Sequence, residues 1–274
     1  MRYPIAFPVF EPGSVWLTGA GPGDPGLLTL HAVHALGQAD AILYDALVDD
    51  RVLDLARPGT LCEFVGKRGG QPSPKQEQIN ERLVALATSG KRVVRLKGGD
   101  PLIFGRAGEE IEALRRAGIP YEVVPGVTAA LGAAAGAGIP LTDRRGPGAV
   151  VFVTGHRAAN NEEGQWREFV RSGATLVIYM PGRNFGEIAR RLRKAGLAGQ
   201  TPCALVSRAT NADQQLHVTT VGELPAAPQL AAPALLIVGE VIRLAAGEGH
   251  SFKLTPAMEQ VLLHATEINE PLQL

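Results

Sequence analysis

Short apolar runs alternate with amphipathic segments along most of the chain. Runs rich in β-branched residues predict ten strands, at residues 15–20, 41–44, 61–65, 92–96, 121–124, 149–154, 175–180, 203–207, 217–221 and 234–238. After the first run, Leu30, Val33 and Leu36 recur at the spacing of one helix face. Strands that alternate with helices in this way predict an α/β fold with a mostly parallel sheet.

The clearest helix start lies at Ser73, which is followed by Pro74 and, three residues on, by Gln76. A serine cap, a proline at the first helical position and a glutamine at the third are typical of a helix N-terminus. An apolar stripe over residues 79–86 continues the pattern, and Gly90 is expected to end the helix.

A break at Pro125-Gly126 divides the pattern into two predicted α/β domains, residues 14–126 and 127–246. The last strands of the second domain follow one another with little room for helices, so its sheet is expected to be mixed. A ligand is expected in the cleft between the domains. Residues 247–274 are predicted to be a C-terminal extension with one amphipathic helix.

Composition excludes several classes of protein. Lysine plus arginine and aspartate plus glutamate each total 27, so no global field is expected to recruit nucleic acid. The longest stretch of small apolar residues, 129–141, is shorter than the roughly 18 residues that span a membrane. The N-terminal apolar run 5–10 is too short for a signal peptide, and Cys62 and Cys203 form no CxxC pair. The two distant cysteines fit a reducing cytosol, so a cytoplasmic protein is expected. The histidines form no ligand constellation, so no metal site is expected.

Four glycine-rich turns follow predicted strands. They are Gly19-Ala20-Gly21-Pro22-Gly23-Asp24-Pro25, Gly66-Lys67-Arg68-Gly69-Gly70, Lys97-Gly98-Gly99-Asp100-Pro101 and Gly155-His156. Each turn alone is as well explained by chain reversal as by function. Ligands of α/β sheets bind at the carboxyl ends of strands, where glycine lets the backbone approach closely. Four such turns therefore favour a shared ligand site over four unrelated turns.

The first turn does not match the dinucleotide-binding fingerprint. Pro22 stands where the chain should enter the phosphate-binding helix, and Asp45 at the end of the second strand lacks the ribose-binding context. An NAD-binding oxidoreductase therefore stays a weak alternative. A non-catalytic binding module is a further alternative, although the density of polar residues on the turns argues against it.

Several motifs resemble the tetrapyrrole methyltransferase family over about residues 15–244. They are Gly19–Pro25 with Leu27-Leu28-Thr29-Leu30, Tyr44-Asp45, Gly66-Lys67-Arg68, Gln76-Glu77, the block from Arg92 to Arg106, Val123–Ala129, Gly138–Thr142, Val153–His156, Tyr179-Met180 and Val238–Val241. The resemblance implies two α/β domains, a homodimer and S-adenosylmethionine as methyl donor, with S-adenosylhomocysteine as product.

Within the family, the Gly-Lys-Arg turn and the Lys97–Arg106 block are most similar to members that act on uroporphyrinogen III. Those members methylate C2 and then C7, giving precorrin-2 by way of precorrin-1 for sirohaem and cobalamin synthesis. A precorrin methyltransferase or a diphthine synthase on the same fold remains an alternative.

The resemblance also implies roles for individual residues. Asp45 and Lys67 match the proton acceptor and the proton donor, and Arg106 is a further candidate for organising the proton step. The implied cofactor residues are Pro22, Gly98, Gly99, Asp100, Ile103, Thr128, Ala129, Met180 and Ala209. The implied substrate residues are Arg68, Arg106, Glu109, Arg144 and His156.

The implied substrate carries eight carboxylates and calls for several cationic side chains. The pairs Lys67-Arg68 and Arg144-Arg145, together with Arg106, lie on or beside the predicted turns, although an exposed arginine pair is also common on solvated surfaces. The sequence departs from the family at Ala46, often an arginine, at Ala107, and at Asp143-Arg144-Arg145, where the family has His-Arg-Asp. These departures concern the substrate contacts and leave the cofactor residues unchanged.

Overall fold

The computed structural model describes residues 6–66, 75–155 and 163–244. Lys67, Arg68, His156 and the C-terminal extension, for which predictions were made, lie outside these described residues, as do the predicted cap Ser73 and Pro74. The chain forms two compact units, the first ending at Thr128 and the second beginning at Ala129. This division falls two residues after the break that the sequence indicates at Gly126.

The first unit is a five-stranded parallel sheet in the order β3-β2-β4-β1-β5. Its strands are β1 (Val15–Gly19), β2 (Ala41–Tyr44), β3 (Leu61–Phe64), β4 (Val93–Lys97) and β5 (Tyr121–Val124). Its helices are α1 (Leu30–Gln38), α2 (Asp50–Leu53), α3 (Gln76–Thr88) and α4 (Ala107–Arg116). Every residue of the central strand β4 and of its neighbour β1 is buried.

Helices cover both faces of this sheet. Trp16 and Val94 point to the face covered by α1, where they pack with Leu36. Their neighbours Leu17 and Val93 point to the other face, where Leu83 of α3 and Leu114 of α4 pack. Because side chains alternate along a strand, a run of consecutive apolar residues serves two cores at once.

The second unit is a mixed five-stranded sheet in the order β6-β7-β10-β8-β9. Its strands are β6 (Val150–Thr154), β7 (Thr175–Tyr179), β8 (Pro202–Ser207), β9 (Gln215–Thr220) and β10 (Ala234–Val238). Its helices are α5 (Ala129–Ala137), α6 (Glu163–Arg171) and α7 (Phe185–Lys194). β6 and β7 are parallel, and the remaining pairings are antiparallel. The predicted combination of a parallel sheet and a mixed sheet is therefore confirmed.

The start of α3 was predicted too early. The helix begins at Gln76, and Lys75 occupies the capping position that the sequence assigned to Ser73. The side-chain oxygen of Gln78 accepts a hydrogen bond from the Lys75 backbone N–H at 2.8 Å, which caps the helix from within its first turn. Gly90 follows the helix with φ +82° and terminates it as predicted.

None of the helices described is both long enough and apolar enough to cross a membrane.

Candidate active site

Three backbone segments of the first unit meet at the carboxyl edge of its sheet. The turns after β1 and β4 are joined by two hydrogen bonds, from the Gly21 N–H to the Gly99 oxygen at 3.2 Å and from the Gly99 N–H to the Gly21 oxygen at 2.6 Å. A Cβ atom on Gly126, just after β5, would lie 2.2 Å from the Gly99 oxygen. Only glycine fits at such a distance. Two predicted ligand turns and the predicted break therefore converge on one edge.

The Asp100 side chain ties these segments together. Its Oδ1 accepts a hydrogen bond from the Leu102 backbone N–H at 2.9 Å, and its Oδ2 accepts one from the Gly126 backbone N–H at 3.0 Å. Both carboxylate oxygens are thus committed to the protein backbone. Asp100 therefore holds the β4 turn against the end of β5. Its effect on ligand binding includes fixing the shape of this edge of the sheet.

Asp45 lies at the end of β2, beside an open cavity of about 360 Å³ that Tyr44 and Phe64 also line. Its Oδ1 accepts a hydrogen bond from the Leu47 backbone N–H at 3.1 Å. The loop that carries Leu47 lies against the β4 turn, since a Cβ atom on Gly98 would lie 2.5 Å from the Leu47 Cβ. The predicted proton acceptor and the predicted cofactor turn are therefore neighbours at the same edge.

A buried ionic network lies behind Asp45. Glu110 of α4 is fully buried and accepts hydrogen bonds from Arg95 Nε at 2.9 Å and from Lys97 Nζ at 3.0 Å to each oxygen. Arg95 Nη2 lies 3.8 Å from Asp45 Oδ2. Burial lowers the pKa of Lys97, the charge of Arg95 lowers it further, and Glu110 opposes both effects.

Arg95 and Glu110 were not among the site residues predicted from the sequence. Arg95 could have been noticed, because Arg95 and Lys97 are charged residues in an otherwise apolar strand at the centre of a sheet. Charges in such positions are rarely tolerated without a buried partner. The partner, 13 residues beyond Lys97 on a helix, is not marked by any local pattern.

Arg106 and Glu109, two predicted site residues, bind each other. Arg106 Nε donates to Glu109 Oε1 at 2.7 Å and Nη2 donates to Oε2 at 2.6 Å, with both side chains about half exposed. Hydrogen bonding within the pair raises the pKa of Arg106 and lowers the pKa of Glu109. A guanidinium so placed is no base, so Arg106 suits the binding of an anion better than the removal of a proton.

The segment Asp143-Arg144-Arg145, which departs from the family motif, contains an internal ion pair. Asp143 accepts two hydrogen bonds from the Arg145 guanidinium, at 2.9 and 3.0 Å, and one from the Arg145 backbone N–H at 2.8 Å. These contacts lower the pKa of Asp143 to about 2. Arg144 is exposed and forms no ion pair with any residue that the structure describes. The two residues that replace the family's histidine and aspartate thus neutralise each other, which leaves Arg144 as the cation available to a ligand.

Backbone strain marks several predicted site residues. In the described part of the chain, five non-glycine residues have positive φ angles: Phe104, Arg106, Met180, Arg208 and Thr210. Two of them are predicted site residues, and the other three lie directly beside predicted cofactor residues, Phe104 beside Ile103 and the other two on either side of Ala209. Side chains rarely adopt this conformation, and where they do it often lies at a binding site.

The predicted cofactor residues lie in both units. The first unit holds Pro22, Gly98, Gly99 and Asp100 at the carboxyl edge, Ile103 shortly after it and buried Thr128 at its end. The second unit holds Ala129 at the start of α5, Met180 directly after β7 and buried Ala209 shortly after β8. No cluster of three or more histidine, cysteine, aspartate or glutamate side chains suited to a metal ion occurs within the described ranges.

The parallel sheet and its glycine-lined edge place the first unit among α/β proteins that bind a ligand at the carboxyl ends of their strands. A family model described as tetrapyrrole (corrin/porphyrin) methylases matches residues 14–225, and the chain belongs to this family. The family membership removes the basis for an oxidoreductase. Consistently, only a single 3-10 turn, Pro25–Leu27, follows the glycine turn, and the first α-helix begins at Leu30, so the long helix that follows this turn in dinucleotide-binding folds does not start there.

Two kinds of curated relative match the chain. A uroporphyrinogen-III C-methyltransferase from Sinorhizobium sp is 49% identical over 244 residues, which is 87% of each chain. A siroheme synthase from Actinobacillus succinogenes is 51% identical over 236 residues, 86% of this chain and 50% of the relative. The chain therefore spans about half the length of the siroheme synthase.

Solved structures share the fold. A uroporphyrin-III C-methyl transferase from Thermus thermophilus, in complex with S-adenyl homocysteine, has a TM-score of 0.73 at 42% identity over 84% of this chain and 99% of its own. The cobalt precorrin-4 methyltransferase CbiF has a TM-score of 0.74 at 28% identity over 84% of this chain and 96% of its own. The similar scores show that the fold alone does not separate the two substrates.

Proposed function

We propose that the protein transfers methyl groups from S-adenosylmethionine to C2 and C7 of uroporphyrinogen III and so forms precorrin-2, for sirohaem or cobalamin synthesis. The observation that supports this most directly is the 49% identity to the Sinorhizobium C-methyltransferase, which covers 87% of both chains. The clustering of Asp45 with the glycine turns of β1 and β4 agrees with a site for group transfer at this edge.

The residues at the edge suit the methyl donor. Gly98 and Gly99 present backbone without side chains, and the Gly21–Gly99 bridge holds this backbone in a fixed position. We propose that Pro22, Ile103 and Thr128 join them, and that Ala129, Met180 and Ala209 are cofactor residues, as the family resemblance implies. When bound, S-adenosylmethionine supplies an electrophilic methyl group, so the reaction needs no metal.

Positioning and proton removal are the tasks left to the protein. An oriented pyrrole carbon would attack the methyl carbon as the S–CH3 bond breaks and S-adenosylhomocysteine leaves, and holding both reactants in place supplies much of the acceleration. The ring then carries positive charge and must lose a proton. We propose that Asp45, or a water that it orients, accepts this proton, that Lys67 serves as the proton donor, and that Arg106, Glu109, Arg144, Arg68 and His156 bind the substrate's polar groups.

The proposal is tested by incubating the purified protein with S-adenosylmethionine and freshly reduced uroporphyrinogen III under anaerobic conditions. Mass spectrometry should show the substrate gaining two methyl groups in succession. Parallel incubations with precorrin substrates and with the diphthine precursor test the other activities known on this fold. Methylation of one of those substrates, with uroporphyrinogen III unchanged, would replace the proposed function.

Asp100→Ala is expected to weaken the binding of S-adenosylhomocysteine by about tenfold or more. The change removes two hydrogen bonds between a carboxylate and backbone N–H groups, each worth about 1.5–3 kcal/mol, and so loosens the β4 turn. Isothermal titration calorimetry measures the effect. Asp54→Ala, at an exposed aspartate in the same unit, is the matched control and should leave the affinity unchanged. Equal affinities in the two variants would contradict the assignment of this edge to the cofactor.

Arg144→Ala is expected to raise the KM for the tetrapyrrole by about tenfold, with kcat little changed. The loss of one charge-assisted contact to a carboxylate costs about 1.5 kcal/mol of binding. The control is the double variant Asp143→Ala/Arg145→Ala, which removes a pair with no net charge and should keep KM within about threefold. Steady-state kinetics measure KM for both variants. A larger rise in KM for the double variant than for Arg144→Ala would show that Arg145 is the substrate contact.

We further propose that the protein is a cytoplasmic homodimer, as the family resemblance implies. Size-exclusion chromatography with light scattering should give twice the monomer mass of 28.9 kDa. A monomer that is fully active would overturn the dimer proposal without affecting the proposed reaction.

A further inference from the structure

The Arg95 guanidinium donates hydrogen bonds to three acceptors. Its Nε donates to Glu110, and its Nη1 donates to the backbone oxygens of Leu43 at 3.2 Å and Leu96 at 3.0 Å. The remaining nitrogen, Nη2, is the one that lies 3.8 Å from Asp45 Oδ2. Because Glu110 and the two strand carbonyls fix the plane of the guanidinium, Nη2 has little freedom to turn away from Asp45.

The charges of the network balance only when Asp45 is included. Arg95 and Lys97 carry two positive charges, and both side chains are 5% exposed. Glu110 supplies a single negative charge among them, which leaves one buried positive charge without compensation. The carboxylate of Asp45 is the group that balances it, and burial around Arg95 keeps solvent ions from taking its place.

Asp45 stands between this network and the open cavity. One quarter of its side chain is exposed, toward the cavity that Tyr44 and Phe64 line, whereas Arg95 behind it is buried. The Leu47 N–H holds Oδ1, and Arg95 faces Oδ2. The carboxylate is therefore oriented from the protein side by two groups, of which Arg95 is the charged one.

We propose that Arg95, held by Glu110, is a positioning residue that orients the Asp45 carboxylate for its part in the reaction. The inference rests on the proposed function of Asp45 and assigns a role to a buried arginine that acts through Asp45. An error of about 1 Å in the position of a reacting group lowers turnover by up to two orders of magnitude, so this orientation has a measurable effect on kcat.

The test is a double-mutant cycle with Arg95→Lys and Asp45→Asn. Lysine keeps the positive charge next to Glu110 but lacks the fork that reaches Glu110, the two carbonyls and Asp45 at once. We expect Arg95→Lys to lower kcat by about tenfold or more while the affinity for S-adenosylhomocysteine stays within about twofold. In the Asp45→Asn background, the same change should lower kcat no further. Arg116→Lys, at an exposed position of α4, is the matched control and should behave as wild type.

Two results would overturn the inference: an Arg95→Lys variant with wild-type kcat, or effects of the two substitutions that multiply. If Arg95→Lys does not fold, Arg95→Met replaces it, because that variant leaves Glu110 paired with Lys97. If wild type leaves uroporphyrinogen III unmethylated, the proposed function fails. The inference is then judged by the same cycle measured on free energies of unfolding, where coupling between the two positions supports it and additivity overturns it.

Discussion

Gly126→Ala is expected to lower the free energy of unfolding by about 3 kcal/mol, the upper end of the usual cost of overpacking. The added Cβ would lie 2.2 Å from the Gly99 oxygen and 2.8 Å from the Gly19 Cα. Both are backbone atoms in the central part of the first unit, so no side-chain rotation relieves the clash. The strands must separate at the edge where we place the cofactor, and binding of S-adenosylhomocysteine should be lost together with stability.

Urea denaturation and calorimetric titration measure the two effects on the same protein. Gly37→Ala is the control, because a Cβ at that position of α1 meets no atom within 4 Å. Alanine is the better helix former by up to about 1 kcal/mol, so this variant should be as stable as wild type or more stable. If Gly126→Ala kept the stability and affinity of wild type, the close approach of β1, β4 and β5 would not be a requirement of the site.

Glu110→Gln is expected to cost about 3–5 kcal/mol of stability, the range found when one partner of a buried ionic network is neutralised. Glutamine has the shape of glutamate but lacks its charge. Arg95 and Lys97 would then remain buried as two cations with only Asp45 to balance them. We expect a lower midpoint of urea unfolding together with reduced turnover, since the carboxylate that holds Arg95 is gone.

Glu112→Gln provides the comparison on the same helix. Glu112 pairs with Arg116 at the surface, where its side chain is 61% exposed, so the loss of its charge should change stability by less than about 1 kcal/mol. A similar midpoint for the two variants would show that burial of the Glu110 network has no energetic consequence and would remove the physical basis for its positioning role.

The strands could be predicted well because their signal is local. β2, β5 and β10 have the predicted bounds, and the other strands differ from prediction by one or two residues at one or both ends. A strand buried on both faces needs consecutive apolar residues, and such runs can be recognised directly in the sequence. The start of α3 was less predictable, because the Lys75 cap is supported by a hydrogen bond to the Gln78 side chain and not by a capping side chain of its own.

The site was predictable only in part. Asp45 and the glycine turns were identified by their position after strands and by family resemblance. The contacts of Asp100 with Gly126, and of Arg95 with Glu110, join residues that are 26 and 15 positions apart. No spacing rule connects a strand residue to a residue on a later helix, since the distance between them is set by how the helix packs on the sheet. The pairing of Asp143 with Arg145 is local, yet Arg145 was assigned from the sequence to the substrate and not to Asp143.

The sequence by itself determined the two α/β units, the parallel and mixed character of their sheets, and the residues that place the chain among the tetrapyrrole methylases. These properties follow from apolar periodicity and from short motifs, both of which act over a few neighbouring residues. Tertiary structure alone decided which polar groups are available and which are committed: Asp100 is bound to backbone, Arg106 to Glu109, and Arg95 lies between Glu110 and Asp45. Such commitments depend on three-dimensional distance and burial, which arise only when the strands and helices pack together.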